Sequence, residues 1–147
     1  MKVYIIYGPP AAGKTTYVRQ NKKANDLVVD FDLIKQAITM NRKTENAGKL
    51  HRVAEGIREY LYKEIETRSV ECENAWVIGA FPKAAERQQL AERLNAELIF
   101  INTSYSQCIS RAMKDDERTD KELQLRIIDK WFSNYEESAL YCTERWD

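Results

Sequence analysis

Gly8-Pro9-Pro10-Ala11-Ala12-Gly13-Lys14-Thr15 completes the pattern GxxxxGK[ST]. The apolar run Val3-Tyr4-Ile5-Ile6-Tyr7 precedes it, and a helix is expected from Lys14 to Lys22. A strand before and a helix after are the context in which this motif holds phosphate. Successive backbone N–H groups turn inward and form a nest for phosphate oxygens. Gly8 and Gly13 permit backbone angles and close approaches that a Cβ resists. The helix start adds its positive dipole end. Lys14 can reach the β- and γ-phosphates, and the Thr15 hydroxyl can ligate Mg²⁺. Residues Gly8, Pro9, Pro10, Ala11, Ala12, Gly13, Lys14, Thr15 and Thr16 are therefore the expected contacts to a nucleoside triphosphate.

A second acidic motif follows: Val29-Asp30-Phe31-Asp32-Leu33-Ile34-Lys35. It falls at the carboxyl end of a second expected strand, the edge where open α/β sheets bind ligands. Residues two apart share a side of a strand, so Asp30 and Asp32 point the same way if the strand continues. One carboxylate can serve the metal shell, a role assigned to Asp30. The other, Asp32, can orient or deprotonate an acceptor hydroxyl. Lys35, one turn into the next helix, can contact an acceptor phosphate. The competing reading is a helix start, with Asp32 capping and Asp30 in a turn. A calcium-loop reading fails, because the required glycine and distal glutamate are absent.

The elements that must position these residues alternate. Strands are expected at Lys2–Tyr7, Leu27–Phe31, Trp76–Phe81 and Glu97–Asn102. The first and third are apolar almost throughout, as strands buried on both faces should be. Leu50, Val53, Ile57, Leu61 and Ile65 recur at helical spacing, as do Leu90 and Leu94 behind Pro82, a proline suited to a helix's first turn. Capping boxes are expected at Ser104–Gln107 and at Thr119–Glu122. The last helix is expected to reach the early 140s, burying Ile127, Ile128, Trp131, Phe132 and Tyr135. Strand alternating with helix predicts an α/β fold with a parallel sheet and right-handed crossovers.

With its short phosphate loop, its D-x-D-L-I-K segment and an arginine-bearing stretch after strand four, the chain resembles the small P-loop kinases related to phage polynucleotide kinase, zeta toxin and gluconate kinase. The resemblance implies a three-layer sandwich around a four-stranded sheet in the order 2-3-1-4. It also implies transfer of the ATP γ-phosphate to a hydroxyl. By position, Asp32 matches the general-base aspartate of these kinases. Lys35 falls where polynucleotide kinases use an arginine, and lysine cannot clamp a phosphate with two parallel bonds. The stretch Ser110–Thr119 resembles the lid, with Arg111 and Arg118 as the cations for the transferring phosphate. Three acids between them could hold the arginines away until ATP arrives. The plainer reading of that stretch is a solvated helix connection, where charge pairs contribute little.

The segment holding Arg42, Lys43, Lys49, His51, Arg52 and Arg58 matches the part of such kinases that helps to form the acceptor site, and Arg52 joins Lys35 as a candidate acceptor contact. Arg52 and Arg58 are six apart and cannot both grip one phosphate from an ideal helix. His51 reads as a surface histidine. Strand three departs from the usual pattern: Gly79-Ala80-Phe81 stands where a metal-shell aspartate is customary.

The bulk properties set limits. With 147 residues, one domain is expected over 1–147, with the lid segment near 111–119. Lys and Arg total 23 against 23 Asp and Glu, so no charge excess drives binding along an extended duplex. No signal peptide or membrane-length apolar run is read. Cys72, Cys108 and Cys142 are far apart without a CxxC, which makes a disulfide framework or zinc site unexpected and a reducing cytoplasm the default. The expectation is a kinase using ATP and Mg²⁺ on a small-molecule or nucleic-acid-end acceptor. The alternative is an ATPase or nucleotide-dependent switch with no phosphoryl acceptor.

Overall fold

The structure, a computed structural model, describes residues 1–43, 45–138 and, for the backbone, 143–145. Cys142 lies outside the described residues. The elements run β1 (Lys2–Tyr7), α1 (Lys14–Asn21), β2 (Leu27–Asp30), α2 (Phe31–Thr39), a 3-10 turn (Gly48–Leu50), α3 (His51–Glu66), β3 (Asn74–Gly79), α4 (Ala84–Leu94), β4 (Glu97–Ile101), α5 (Tyr105–Lys114), α6 (Lys121–Asn134) and β5 (Thr143–Arg145).

The strands form one sheet in the order β2-β3-β1-β4-β5, and every pairing is parallel. The expected 2-3-1-4 core is present, and the short β5 extends it beyond β4. Alternation divides the core. Ile5, Tyr7, Val77 and Phe100 face one side, against Tyr62 and Ile65 of α3, Leu94 of α4 and Trp131 of α6. Ile6, Ile78, Ile99 and Ile101 face the other, against Val18 of α1, Cys108 and Ala112 of α5 and Ile128 of α6. Helices on both faces explain why β1 and β3 are apolar on consecutive residues.

At the amino ends of the strands, Asp26 ties the α1–β2 connection to β3. It accepts from Lys23 N–H at 2.9 Å, Asn74 N–H at 3.2 Å and the Trp76 indole at 3.0 Å. Burial alone would raise its pKa, but these donors outweigh that and hold it at about 2.

Several local expectations are corrected. Asp120, not Thr119, caps α6, taking Leu123 N–H at 3.0 Å. Pro82 sits ahead of the Lys83 cap, outside the first turn of α4. Leu50 and Val53 are exposed, because α3 buries Ala54 and turns Tyr62 and Ile65 to the sheet. α6 ends at Asn134, well before the 140s. There the chain leaves the helix to dock on the β3–α4 turn, where Glu136 N–H meets the Pro82 carbonyl at 2.9 Å. On α6, Ile128 and Trp131 are buried together with Gln124. Among the described residues, no helix is long and apolar enough to cross a membrane.

Candidate active site

β1 delivers the phosphate loop to the carboxyl edge of the sheet. Gly8 has φ +154°, and a Cβ there would stand 2.7 Å from the Ile101 carbonyl oxygen of neighbouring β4. Only glycine lets the loop leave the sheet this close to its neighbour. Ala11 (φ +62°) and Gly13 (φ +101°) turn the backbone so that Gly13 caps α1. The loop is braced from behind at the Ala12 carbonyl, which accepts from Thr103 Oγ1 at 2.7 Å and Arg111 Nη1 at 2.9 Å. Thr103 is a buried residue that sequence reasoning missed, since its partner lies ninety-one positions away.

Lys14 arches over its own loop and donates to the carbonyls of Gly8 at 2.7 Å and Pro9 at 2.8 Å. Burial chiefly, and the nearby Arg118 charge next, lower its pKa to about 8, while Asp30 opposes them. Triphosphate oxygens arriving at the nest would supply the negative charge that this ammonium lacks.

The loop opens on a cavity of about 1140 Å³. Lys14, Thr15 and Thr16 line it, with Asp30, Asp32 and Lys35 from the β2–α2 corner and Arg111 and Arg118 from the α5–α6 region. Pro10 to Gly13 line it too, while Gly8 and Pro9 are buried beneath. The candidates from three separate stretches therefore meet in one place.

The two aspartates do not share a strand face. β2 ends at Asp30 and α2 begins at Phe31, so Asp30 is the helix cap and Asp32 stands in the first turn. Asp30 Oδ1 accepts the Asp32 N–H at 3.0 Å. The capping alternative thus holds with the roles reversed. Burial first, and the Asp32 charge second, raise the Asp30 pKa, against the two helical N–H groups and Lys14. Asp32 remains accessible and pairs with Lys35 at 3.2 Å.

Arg118 is buried, and of the three acids near it Asp115 is the one that holds it. Its Nε meets Asp115 Oδ2 at 3.2 Å, and its Nη1 donates to Gln124 Oε1 at 2.7 Å. Asp115 also faces Lys43 at 3.7 Å, while Asp116 and Glu117 are exposed. Lys121 Nζ ends α5 by donating to the carbonyls of Ala112 at 2.9 Å and Asp115 at 2.7 Å.

On the other wall, Arg52 is exposed on α3 and outside the cavity lining, whereas Arg58 lies on it. The Arg58 guanidinium sits 4.2 Å from the Phe31 ring centre, and the Lys35 ammonium sits 5.1 Å from it. Cations over an aromatic face are attracted by its quadrupole. His51 is exposed, 3.5 Å from Glu55, and edge-on to Phe31.

These donors suit a magnesium nucleotide. Mg²⁺ is commonly held by substrate phosphates, waters and one or two carboxylates, not by an all-protein cage. Among the described residues there is no cluster of three or more His, Cys, Asp or Glu side chains for a metal. The Thr15 hydroxyl and the Asp30 carboxylate border the same cavity as the phosphate nest.

Solved structures share this fold. A shikimate kinase from Acinetobacter baumannii, in complex with shikimate, aligns with TM-score 0.54 and 19% identity, covering 95% of this chain and 83% of its own. A gluconokinase from Sinorhizobium meliloti 1021 aligns with TM-score 0.62 and 15% identity over 99% of this chain and 82% of that one. The fold is that of the small P-loop kinases. A sugar kinase from Janibacter sp. HTCC2649 gives TM-score 0.63 at 12% identity, with 100% and 84% covered. No family model matches the sequence, and no curated protein matches it.

Proposed function

We propose that this protein is an ATP-dependent kinase that moves the γ-phosphate of ATP onto a hydroxyl of a small acceptor. The carrying observation is that Lys14, Asp32, Arg111 and Arg118, from three separate segments, line one cavity beside the phosphate nest. Residues Gly8–Thr16 hold the triphosphate. Thr15 and Asp30 hold Mg²⁺, which neutralises charge on the β- and γ-phosphates when bound. Asp32 takes the acceptor's proton as the acceptor oxygen bonds to the γ-phosphorus. The bond from that phosphorus to the β–γ bridging oxygen breaks, and ADP leaves with the electron pair. Lys14 and Arg118 stabilise the charge that gathers on the transferring group and the leaving oxygen. Arg111 does the same while bracing the Ala12 carbonyl. The segment 111–119 is the lid.

Lys35 and Arg58 form the acceptor wall. Among the described residues Arg58 makes no ion pair, and its contact is the face of Phe31. Its planar fork can hold a carboxylate or phosphate with two parallel bonds, which Lys35 cannot. The acceptor is thus a small molecule or a single nucleic-acid end, not an extended duplex. Use of ATP makes the cytoplasm the expected compartment.

The deciding experiment follows labelled γ-phosphate from ATP into nucleosides, nucleoside monophosphates, sugars, hydroxy acids and oligonucleotide 5′ ends. Transfer to at least one of them is expected. Steady ATP hydrolysis with no transfer would select the ATPase reading, which Gly79, the last residue of β3, and Ala80-Phe81 after it favour by offering no acid.

A further inference from the structure

Phe81 follows the end of β3 with its backbone in the left-handed region, at φ +39°. A bulky residue keeps such a conformation only where its surroundings impose it, and such sites cluster at ligand clamps. Two surroundings impose it here. Arg87, fully buried on α4, donates through Nη1 to the carbonyls of Phe81 at 2.8 Å and Pro82 at 3.0 Å. Through Nη2 it reaches Ser138 Oγ at 3.0 Å and the Glu136 carbonyl, and its guanidinium lies 4.6 Å from the Tyr7 ring centre. Among the described residues, its hydrogen-bond partners are carbonyl and hydroxyl oxygens, and its Nε has none. Burying a charge on such partners is expensive, so the arrangement calls for an explanation.

The second constraint is the space the ring occupies. A Cβ built on Gly79 would stand 2.3 Å from the Phe81 ring. The ring therefore lies back over the end of β3, in space that any side chain at 79 would claim. It borders the large cavity and also an adjoining chamber of about 280 Å³. Arg58, Tyr62 and Glu86 border both as well, and Gln89, Leu90 and Arg93 complete the lining of the second.

We propose that Phe81 is a specificity-determining residue of the acceptor site, and that Arg87 is the positioning residue that fixes it. The ring is a wall between the site of transfer and the adjoining chamber. It admits a compact hydroxyl compound whose apolar face packs on the ring, and it turns away bulkier ones. This rests on the kinase reading for the meaning of the site, but not for its test.

The test uses glycerol, a pentose, a hexose, a nucleoside and a nucleoside monophosphate as a series of increasing bulk. Binding is read by ligand-observed NMR with ADP and Mg²⁺ present, and transfer by labelled ATP. Phe81→Gly accepts φ +39° without strain, so its fold is not at risk on backbone grounds. It should shift preference toward the bulkier compounds by about tenfold or more, with ADP affinity within about twofold of wild type. Gly79→Ala should shift preference the same way and lower Tm, because its Cβ displaces the ring. The double variant should be no less stable than Phe81→Gly, because the clash is gone. Arg87→Leu should reproduce the shift and Arg87→Lys should restore it in part. If Arg87→Leu does not fold, the Gly79 and Phe81 variants decide. A lowered Tm with unchanged preference in Phe81→Gly would overturn the wall and leave the kinase reading standing. Binding with the expected shift but no transfer would overturn the kinase reading and keep the wall. Failure of every compound to bind any form would overturn the wall, since no acceptor would meet it.

Discussion

Asp30 caps the helix that carries Asp32, with Oδ1 accepting the Asp32 N–H at 3.0 Å. The two carboxylates are therefore coupled through one peptide group, yet they differ in setting. Asp30 is the more buried, which raises its pKa, whereas Asp32 stands in the open cavity beside Lys35. Asp32→Asn should retain ATP binding and lose transfer by about 10²-fold or more, the scale of general-base loss. Asp30→Asn should keep the cap, since asparagine caps as well as aspartate. It should raise the Mg²⁺ concentration needed for half-maximal rate. Asp30→Ala should add a stability loss of about 1 kcal/mol, read from urea midpoints. Equal transfer rates in wild type and Asp32→Asn would reduce the motif to a helix start.

The phosphate loop and the core strands were legible because both depend on local signals, while the strand order came from the resemblance to the small P-loop kinases. A GxxxxGK[ST] run and two doubly apolar strands need no partner to be recognised. The Asp30–Asp32 geometry was not legible, because β2 passes into α2 with no intervening loop and period two gives way to period 3.6 one residue early. Arg52 was preferred to Arg58 for a similar reason. Which α3 arginine meets the cavity depends on the helix start at His51 and on its packing against α2. Thr103 acts on the distant Ala12 carbonyl and Arg87 reaches the distant Glu136 carbonyl, and the positive φ of Phe81 leaves no trace in residue type.

Lys14 makes ATP binding pH-dependent in a defined window. Its pKa in the free protein is about 8, and bound phosphates will raise it. Below about pH 8 the ammonium is already present and affinity should be flat. Above it, binding must take up a proton, so affinity should fall by up to about tenfold per pH unit until the bound-state pKa is passed. Calorimetry in buffers of different ionisation enthalpy should show that uptake. The same depression means the unfolded chain holds more protons between about pH 8 and 10.5, so Lys14 favours the free fold increasingly as pH rises through that range. Flat affinity to pH about 10 would show that Lys14 titrates as an ordinary lysine.

Arg111 and Arg118 should separate kinetically. Arg118 is held by Asp115 and Gln124 at the cavity wall, away from the loop carbonyls. Arg118→Met should lower the single-turnover transfer rate by about 10²–10³, the scale of one lost transition-state donor, with little change in ATP affinity. Arg111 also braces the Ala12 carbonyl, so Arg111→Met should weaken ATP binding along with the rate. A pure binding defect in both variants would make them static phosphate clamps.

Asp26 should control the acid limb of stability. Its folded pKa is about 2 against an ordinary 3.8, so the unfolded state binds more protons in between. Its contribution is complete above about pH 4 and is lost as pH falls toward about 2. Asp26→Asn should flatten that stretch of the urea-midpoint profile while lowering the midpoint at neutral pH. An unchanged acid limb would show that the Trp76 and Asn74 contacts carry no differential stability.

Salt should distinguish a small acceptor from a long one. The acceptor wall offers Lys35 and Arg58, and the chain as a whole has no cationic excess. Each backbone phosphate neutralised adds about 0.7–0.9 to the slope of log affinity against log salt. One or two such contacts give a shallow slope that stops growing once the first nucleotides are bound. The measurement is oligonucleotide affinity against NaCl at increasing strand length, with ADP and Mg²⁺ present. Lys35→Gln and Arg58→Gln should each remove about one contact's worth of slope. If the slope instead steepens with length and survives both substitutions, an extended groove elsewhere on the surface binds the strand. The Lys35–Arg58 wall would then not be the acceptor's anchor.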